Sequence, residues 1–187
     1  MYRVNEIFYS LQGEGLYTGT PMVFVRLAGC NRRCTFCDTE FETFAEMSAD
    51  EIVAEADKYA ITRVVVTGGE PLLQLDDNLV NVLHKHGYSL HLETNGTLSV
   101  PDGVDHVVCS PKDENIAIQP EKVDEVKIVY TGQPVEYLNR LRDYFRFTEL
   151  FYLQPCSGKN INETVHTVLS MKGWRLSLQT HLLIGIK

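Results

Sequence analysis

Cys30, Cys34 and Cys37 crowd into eight residues with the spacing Cys-x3-Cys-x2-Cys, three of the five cysteines in the chain. Tetrahedral zinc takes four ligands, commonly in two paired groups, and no second Cys or His pair stands near this run. A redox pair at Cys34 and Cys37 fits the spacing but leaves Cys30 without a role. Three thiolates on one short loop suit a [4Fe–4S] cluster. Four thiolates normally complete such a cluster, so one iron would lack a protein ligand and lie open to chemistry. Cys109 and Cys156 are far away in sequence, each near the end of a strand-like run, and as small apolar side chains they fit a packed interior. An odd cysteine count with this crowding argues against a disulfide framework.

The elements that must position this loop alternate in type. Runs rich in Val, Ile, Leu and aromatics predict strands over 22–27, 63–67, 89–93, 106–109, 125–129, 151–154 and 175–179. Helical patterns cover about 49–59, 77–86, 135–146 and 162–172. Ser48 and Glu51 form a capping box, and Gly87 and Gly173 stand where helix C-caps belong. Strand–helix alternation means βα units and a mainly parallel sheet. A closed eight-unit barrel needs about 250 residues, more than the 187 here, so an open sheet or an incomplete barrel follows. With no linker or repeat to divide it, the chain is expected to be one domain, 1–187.

Several strands carry polar groups on one face. His91 and Glu93 alternate with Leu90 and Leu92, Glu125 and Lys127 with Val126 and Ile128, and Arg175, Ser177 and Gln179 with Leu176 and Leu178; Arg26 shares a face with Phe24. With a period of two, these side chains form one surface of a curved sheet whose concave side holds something polar. The net charge of −8 excludes a general phosphate-backbone binder, which needs clustered Lys and Arg. No apolar run approaches the ~18 residues of a membrane span. Arg3, Asn5 and Glu6 interrupt any apolar core of a secretory signal, so a cytoplasmic location is expected, with no membrane and no direct nucleic-acid partner.

The run Cys30-x3-Cys34-x-Phe36-Cys37 resembles the signature of the radical S-adenosylmethionine (SAM) superfamily. That resemblance implies three irons held by the cysteines and a fourth that chelates SAM, and a partial (β/α) barrel. Gly68-Gly69-Glu70-Pro71, after the strand at 63–67, resembles the superfamily's Gly-Gly-Glu motif for the SAM amino group. Glycines let backbone carbonyls approach an ammonium closely and Glu70 offers an acceptor; a plain turn before Pro71 is the alternative.

Leu11-Gln12-Gly13-Glu14-Gly15, residues 29–39, 67–71 and 93–97, Ser110-Pro111-Lys112, Gln154-Pro155 and residues 175–181 resemble, in that order, the 7-carboxy-7-deazaguanine synthase family. The family's barrel is trimmed, with about six parallel strands and few helices. The implied reaction converts 6-carboxy-5,6,7,8-tetrahydropterin to 7-carboxy-7-deazaguanine and ammonia. The 5′-deoxyadenosyl radical takes the hydrogen at C6, the ring contracts, and the hydrogen returns to regenerate SAM. The product serves 7-deazapurine and queuosine biosynthesis. Cofactors implied are the [4Fe–4S] cluster, SAM and Mg2+. A small-molecule pterin, an electron donor such as flavodoxin or ferredoxin, and a second copy in a homodimer are the implied partners.

By the same resemblance, Thr39 ligates magnesium, and Phe36, Cys37, Asp38, Gly68, Gly69, Glu70, Ser110, Pro111, Lys112 and Gln154 contact SAM. Leu11, Gln12, Gly13, Arg26, Thr67, Glu93, Gln179 and His181 contact substrate. The chemistry agrees at several of these. A carboxylate such as Glu93 accepts two adjacent N–H donors of a pterin edge, unless it serves to pair Lys127. A guanidinium at Arg26 suits a substrate carboxylate. Magnesium prefers hard oxygen ligands; by chemistry alone Asp38 would be favoured over Thr39, but the resemblance places Asp38 against SAM. Family members often carry Lys after the Gln-Thr-His run, where this chain has Leu182. A glycyl-radical activase is the alternative enzyme, and an iron–sulfur electron carrier the alternative of another class. No side chain is assigned as acid or base.

Overall fold

The computed structural model describes residues 1–37 and 39–187. Its frame is a nine-stranded sheet. β1 (Tyr2–Leu11) and β2 (Pro21–Leu27) are antiparallel, and β3 (Ala45–Met47) pairs antiparallel with the other side of β1. β4 (Arg63–Gly68), β5 (Ser89–Thr94), β6 (His106–Cys109), β7 (Glu125–Tyr130), β8 (Leu150–Pro155) and β9 (Trp174–Leu176) then follow β2 in chain order, each parallel to the last. β3 and β9 are the two edges, so the barrel is not closed. Seven parallel strands, rather than about six, carry it.

Four helices of eight residues or more cover the convex side: α1 (Ala49–Ala56), α2 (Asp77–Lys85), α3 (Val135–Tyr144) and α4 (Ile161–Ser170). The capping box forms as expected, with the Ser48 side chain accepting from the Glu51 N–H. Ala49, Ile52, Val53 and Ala56 recur at helical spacing and are buried, each large side chain contributing roughly 1.5–3 kcal/mol by burial. They join Val23, Val25, Leu27, Val64, Val66, Leu90, Leu92, Val126 and Ile128 in one apolar core outside the sheet. No α-helix lies between β5 and β7; Val100, Ile118 and Val123 from the connecting loops cover that stretch.

β1 and β3 lie outside the strands expected from the sequence. Most of β1 is only half buried, and a register shift between Val4 and Glu6 breaks its period of two. β3 buries none of its three residues. The expected strand at 175–179 is shorter: it ends at Leu176, and after Gln179 the chain turns into a short helix, α5 (Thr180–Ile184). The Gly13 carbonyl causes this, accepting from both the N–H and the hydroxyl of Thr180 at 2.9 Å. Gly87 (φ +82°) closes α2 as expected, but α4 stops at Ser170, and Gly173 (φ +81°) instead turns the chain into β9. No helix among the described residues is long and apolar enough to cross a membrane.

Candidate active site

The concave face carries the polar side chains that the alternation implied. Val65, His91 and His106 are register neighbours across β4, β5 and β6, and Arg26 lies beside Thr67 across β2 and β4. This face lines a cavity of about 680 Å³. Leu11, Gln12, Gly13, Arg26, Thr67, Glu93, Gln179 and His181 all reach its wall, as do Phe36, Thr39, Gly68, Gly69, Ser110, Lys112 and Gln154. Cys30, Cys34 and Cys37 line it too, on the loop beyond the C-terminal end of β2. Pro111 is buried and is not among the lining residues, and Asp38 lies outside the described residues.

The cysteine loop is held from three sides. The Gly29 carbonyl accepts from the Glu70 N–H at 2.9 Å. Asn31 bridges Asn95 and Thr97, and Arg32 makes a two-bond fork with Asp113 at 2.6 and 2.9 Å. The glycines permit the closest of these approaches. A Cβ at Gly68 would lie 2.0 Å from the Leu27 carbonyl oxygen, and one at Gly69 would lie 2.3 Å from that of Gly29 and 2.7 Å from the Cys30 Cβ. Glu70 is fully buried beneath this contact and is not on the cavity wall. It accepts from the Thr94 hydroxyl (2.8 Å), the Asn95 N–H (2.7 Å) and the Leu72 N–H (3.0 Å). Burial raises its pKa despite these bonds.

The three cysteines fit an iron–sulfur cluster. Among the described residues no three His, Cys, Asp or Glu side chains converge on one metal ion. All three thiols line one wall of the cavity, and a cluster that takes one thiolate per iron needs three such side chains on one side of an open space. Burial pushes the Cys30 thiol up, and Glu70, Cys34 and Cys37 add to it. Bound iron would reverse that cost.

The loop after β1 forms the floor. The Gln12 amide donates to Glu93 at 3.0 Å, and the Thr67 hydroxyl lies 3.4 Å from the other Glu93 oxygen. Glu14 pairs with the Lys127 ammonium and accepts from the Gln154 amide at 3.0 Å and from Gln179. Burial would raise the Glu14 carboxyl, yet Lys127 holds it below its ordinary range. Lys127 lies 3.9 Å from Glu93, so its close partner is Glu14. Lys112 donates to Ser110 at 2.7 Å, and burial, with Lys127 next, lowers its pKa. Gly13 is needed because His181 packs on it; a Cβ there would meet the His181 Nδ1 at 1.8 Å. The Arg26 Nε donates to Glu6 at 2.9 Å.

The radical SAM superfamily profile matches residues 24–144. A 7-carboxy-7-deazaguanine synthase of Bacteroides thetaiotaomicron is 49% identical over 187 residues, covering 100% of both chains. The chain belongs to the 7-carboxy-7-deazaguanine synthase family. A member from Neisseria meningitidis is 39% identical across 100% of this chain and 94% of its own length. The crystal structure of QueE from Escherichia coli matches with a TM-score of 0.81 at 30% identity, over 96% of this chain and 94% of that one. Streptococcus suis SuiB bound to precursor peptide SuiA shares the fold alone, at 18% identity and a TM-score of 0.52.

For a member of this synthase family, sequence reasoning missed Glu14, Asn95 and Glu6 at the site; Lys127, considered only as an alternative partner of Glu93, has Glu14 as its closer one. Glu14 stood inside a quoted motif, but nothing local marks its partner 113 residues away. Asn95 was legible only as part of the run 93–97.

Proposed function

We propose that this chain is a radical SAM lyase that converts 6-carboxy-5,6,7,8-tetrahydropterin to 7-carboxy-7-deazaguanine and ammonia. One observation carries the reading: a single cavity has the three-cysteine loop on one side and the Glu93, Thr67 and Arg26 side chains on the others. When bound, the cluster and SAM supply one-electron cleavage of a carbon–sulfur bond. Gly68 and Gly69 offer backbone to the SAM ammonium, Ser110 and Lys112 offer donors to its oxygens, and Phe36, Cys37 and Gln154 flank it. Glu93 accepts the pterin's adjacent N–H donors. Leu11, Gln12, Gly13, Gln179 and His181 complete the substrate walls. Arg26, fixed through Nε by Glu6, turns its terminal nitrogens to the substrate carboxylate.

Magnesium is proposed at the Thr39 hydroxyl, with waters and substrate oxygens as its other ligands. The proposal extends to a homodimer in the cytoplasm that takes its electron from a carrier such as flavodoxin or ferredoxin. A glycyl-radical activase would work on a protein partner, whereas this polar floor, enclosed by the sheet, is scaled to a small molecule. The test is anaerobic reconstitution with iron and sulfide, then turnover of 6-carboxytetrahydropterin with mass detection. The expected product is 7-carboxy-7-deazaguanine, with SAM largely regenerated. SAM cleavage that leaves the pterin unchanged would overturn the assignment.

A further inference from the structure

Beyond α5 the chain doubles back over the cavity. Gly185 (φ +69°) turns it, and the Ile186 N–H returns to the His181 carbonyl at 3.0 Å. Lys187 then lies along β1. The Ser10 hydroxyl donates to its carbonyl oxygen at 2.5 Å, and its ammonium pairs with Glu6 and lies 4.9 Å from the Phe8 ring centroid. Glu6, Phe8 and Ser10 share one face of β1. The Arg26 guanidinium meets the same carboxylate through Nε and lies 5.8 Å from the same ring. Glu6, Phe8, Arg26 and Lys187 all line the cavity.

Two cations therefore share the Glu6 carboxylate at the cavity wall. Burial works against ionised Glu6, but Lys187 and Arg26 hold its carboxyl below the ordinary range, so it stays charged. Both cations border space large enough for a small anionic molecule. The two cations differ in kind. Arg26 is fixed by its Nε bond, while the Lys187 stem is flexible and 63% exposed, so its ammonium can move from Glu6 to an incoming anion at little cost.

We infer that Lys187 is a second, specificity-determining cation for the substrate carboxylate, delivered by the Gly185 turn and held by Glu6 until substrate arrives. This rests on the pterin carboxylate proposed above as the Arg26 ligand.

The test compares reconstituted wild type, Lys187→Met and Lys187→Arg. Each is assayed with 6-carboxytetrahydropterin as substrate and with tetrahydropterin lacking the carboxylate as competitor. In Lys187→Met the preference for the carboxylated ligand should fall about five-fold, the scale of one half-exposed ion pair, with KM rising more than kcat falls. Lys187→Arg should restore most of the preference. Raising salt should erode the wild-type preference and leave that of Lys187→Met nearly flat. Equal weakening for both ligands would make Lys187 merely structural and overturn the inference, as would an unchanged ratio. Wild type that fails to turn over the carboxylated pterin would overturn the functional reading along with it. Active wild type with an indifferent Lys187→Met would sink this inference alone.

Discussion

The Lys127 ammonium and the Glu14 carboxylate meet at the floor of the cavity, 113 residues apart in the chain, with only 6% and 13% of their side chains exposed. Removing one member of a buried pair leaves the other charge uncompensated. Glu14→Gln or Lys127→Met should each cost on the order of 3–5 kcal/mol of stability. The double variant should cost clearly less than the sum of the singles. Urea denaturation of the iron-free chain gives the three values, and strict additivity would show that the two groups are not coupled.

The same pair sets two pH limits. Lys127 lowers the Glu14 carboxyl against the effect of burial, so its contribution is present above the ordinary 4.5 and is lost as acid takes pH through the depressed value. Glu14, with Glu93, raises Lys127 against burial, so that contribution is present below 10.5 and disappears only as pH rises through the raised value. Melting temperature should therefore be level between these limits for this pair. Glu14→Gln should remove the acid-side loss that the pair contributes.

A second acid sensitivity comes from beneath the floor. Burial, with His106 next, lowers the His91 pKa from 6.5 to about 4. Tyr17 stands edge-on to both rings, at 4.6 and 4.9 Å, while Arg63, Asp105 and Asp124 act from further away. Between pH 6.5 and 4 the unfolded chain binds a proton at His91 that the folded chain refuses, so stability falls as pH falls. The loss is on the order of 3 kcal/mol. His91→Phe should flatten the slope of unfolding free energy between pH 7 and pH 4. An unchanged slope would place the acid sensitivity elsewhere.

Gly69 offers a sharper test of the cluster loop than the cysteines themselves. Gly69→Ala puts a methyl group 2.3 Å from the Gly29 carbonyl oxygen, which must move and carry Cys30 with it. Iron retained after reconstitution should drop several-fold, with the circular-dichroism spectrum preserved. Cys109→Ala and Cys156→Ala, by contrast, should keep about four irons per chain. Iron lost from either of the distant variants, with the fold intact, would overturn the ligand assignment.

The parallel strands were legible because each is a short apolar run whose alternate residues face a polar interior, as Leu90, His91, Leu92 and Glu93 show. Two helices carried signals of their own, Ser48 with Glu51 before α1 and Gly87 after α2, whereas α3 and α4 have no side-chain cap. The cysteine and Gly-Gly-Glu runs were legible because chemistry and spacing coincide. What stayed hidden depends on distant partners. β3 exposes Ala45 and Glu46 and only half buries Met47, and β1 is a strand because β2 pairs with it, against the interruption at Asn5 and Glu6. The helix at 180–184 forms where Gly13 accepts from Thr180. Glu70 looked like a ligand group and instead binds Thr94 and Asn95, because a carboxylate with no solvent takes the nearest N–H and O–H donors.

The hydrogen bonds from Thr180 to Gly13, joining residues 167 apart, make assembly of the site a late event. The loop after β1 seals the barrel from below, but its seat is completed by Ser177, which receives the Gly15 N–H at 3.0 Å, and by Thr180. A chain emerging from the ribosome presents its three cysteines long before either residue exists, while contacts this far apart form slowly. For that interval the cysteine loop lies above an unsealed sheet, exposed to oxygen and to stray metal. Cluster loading is thus safest once synthesis is complete, when the floor has closed.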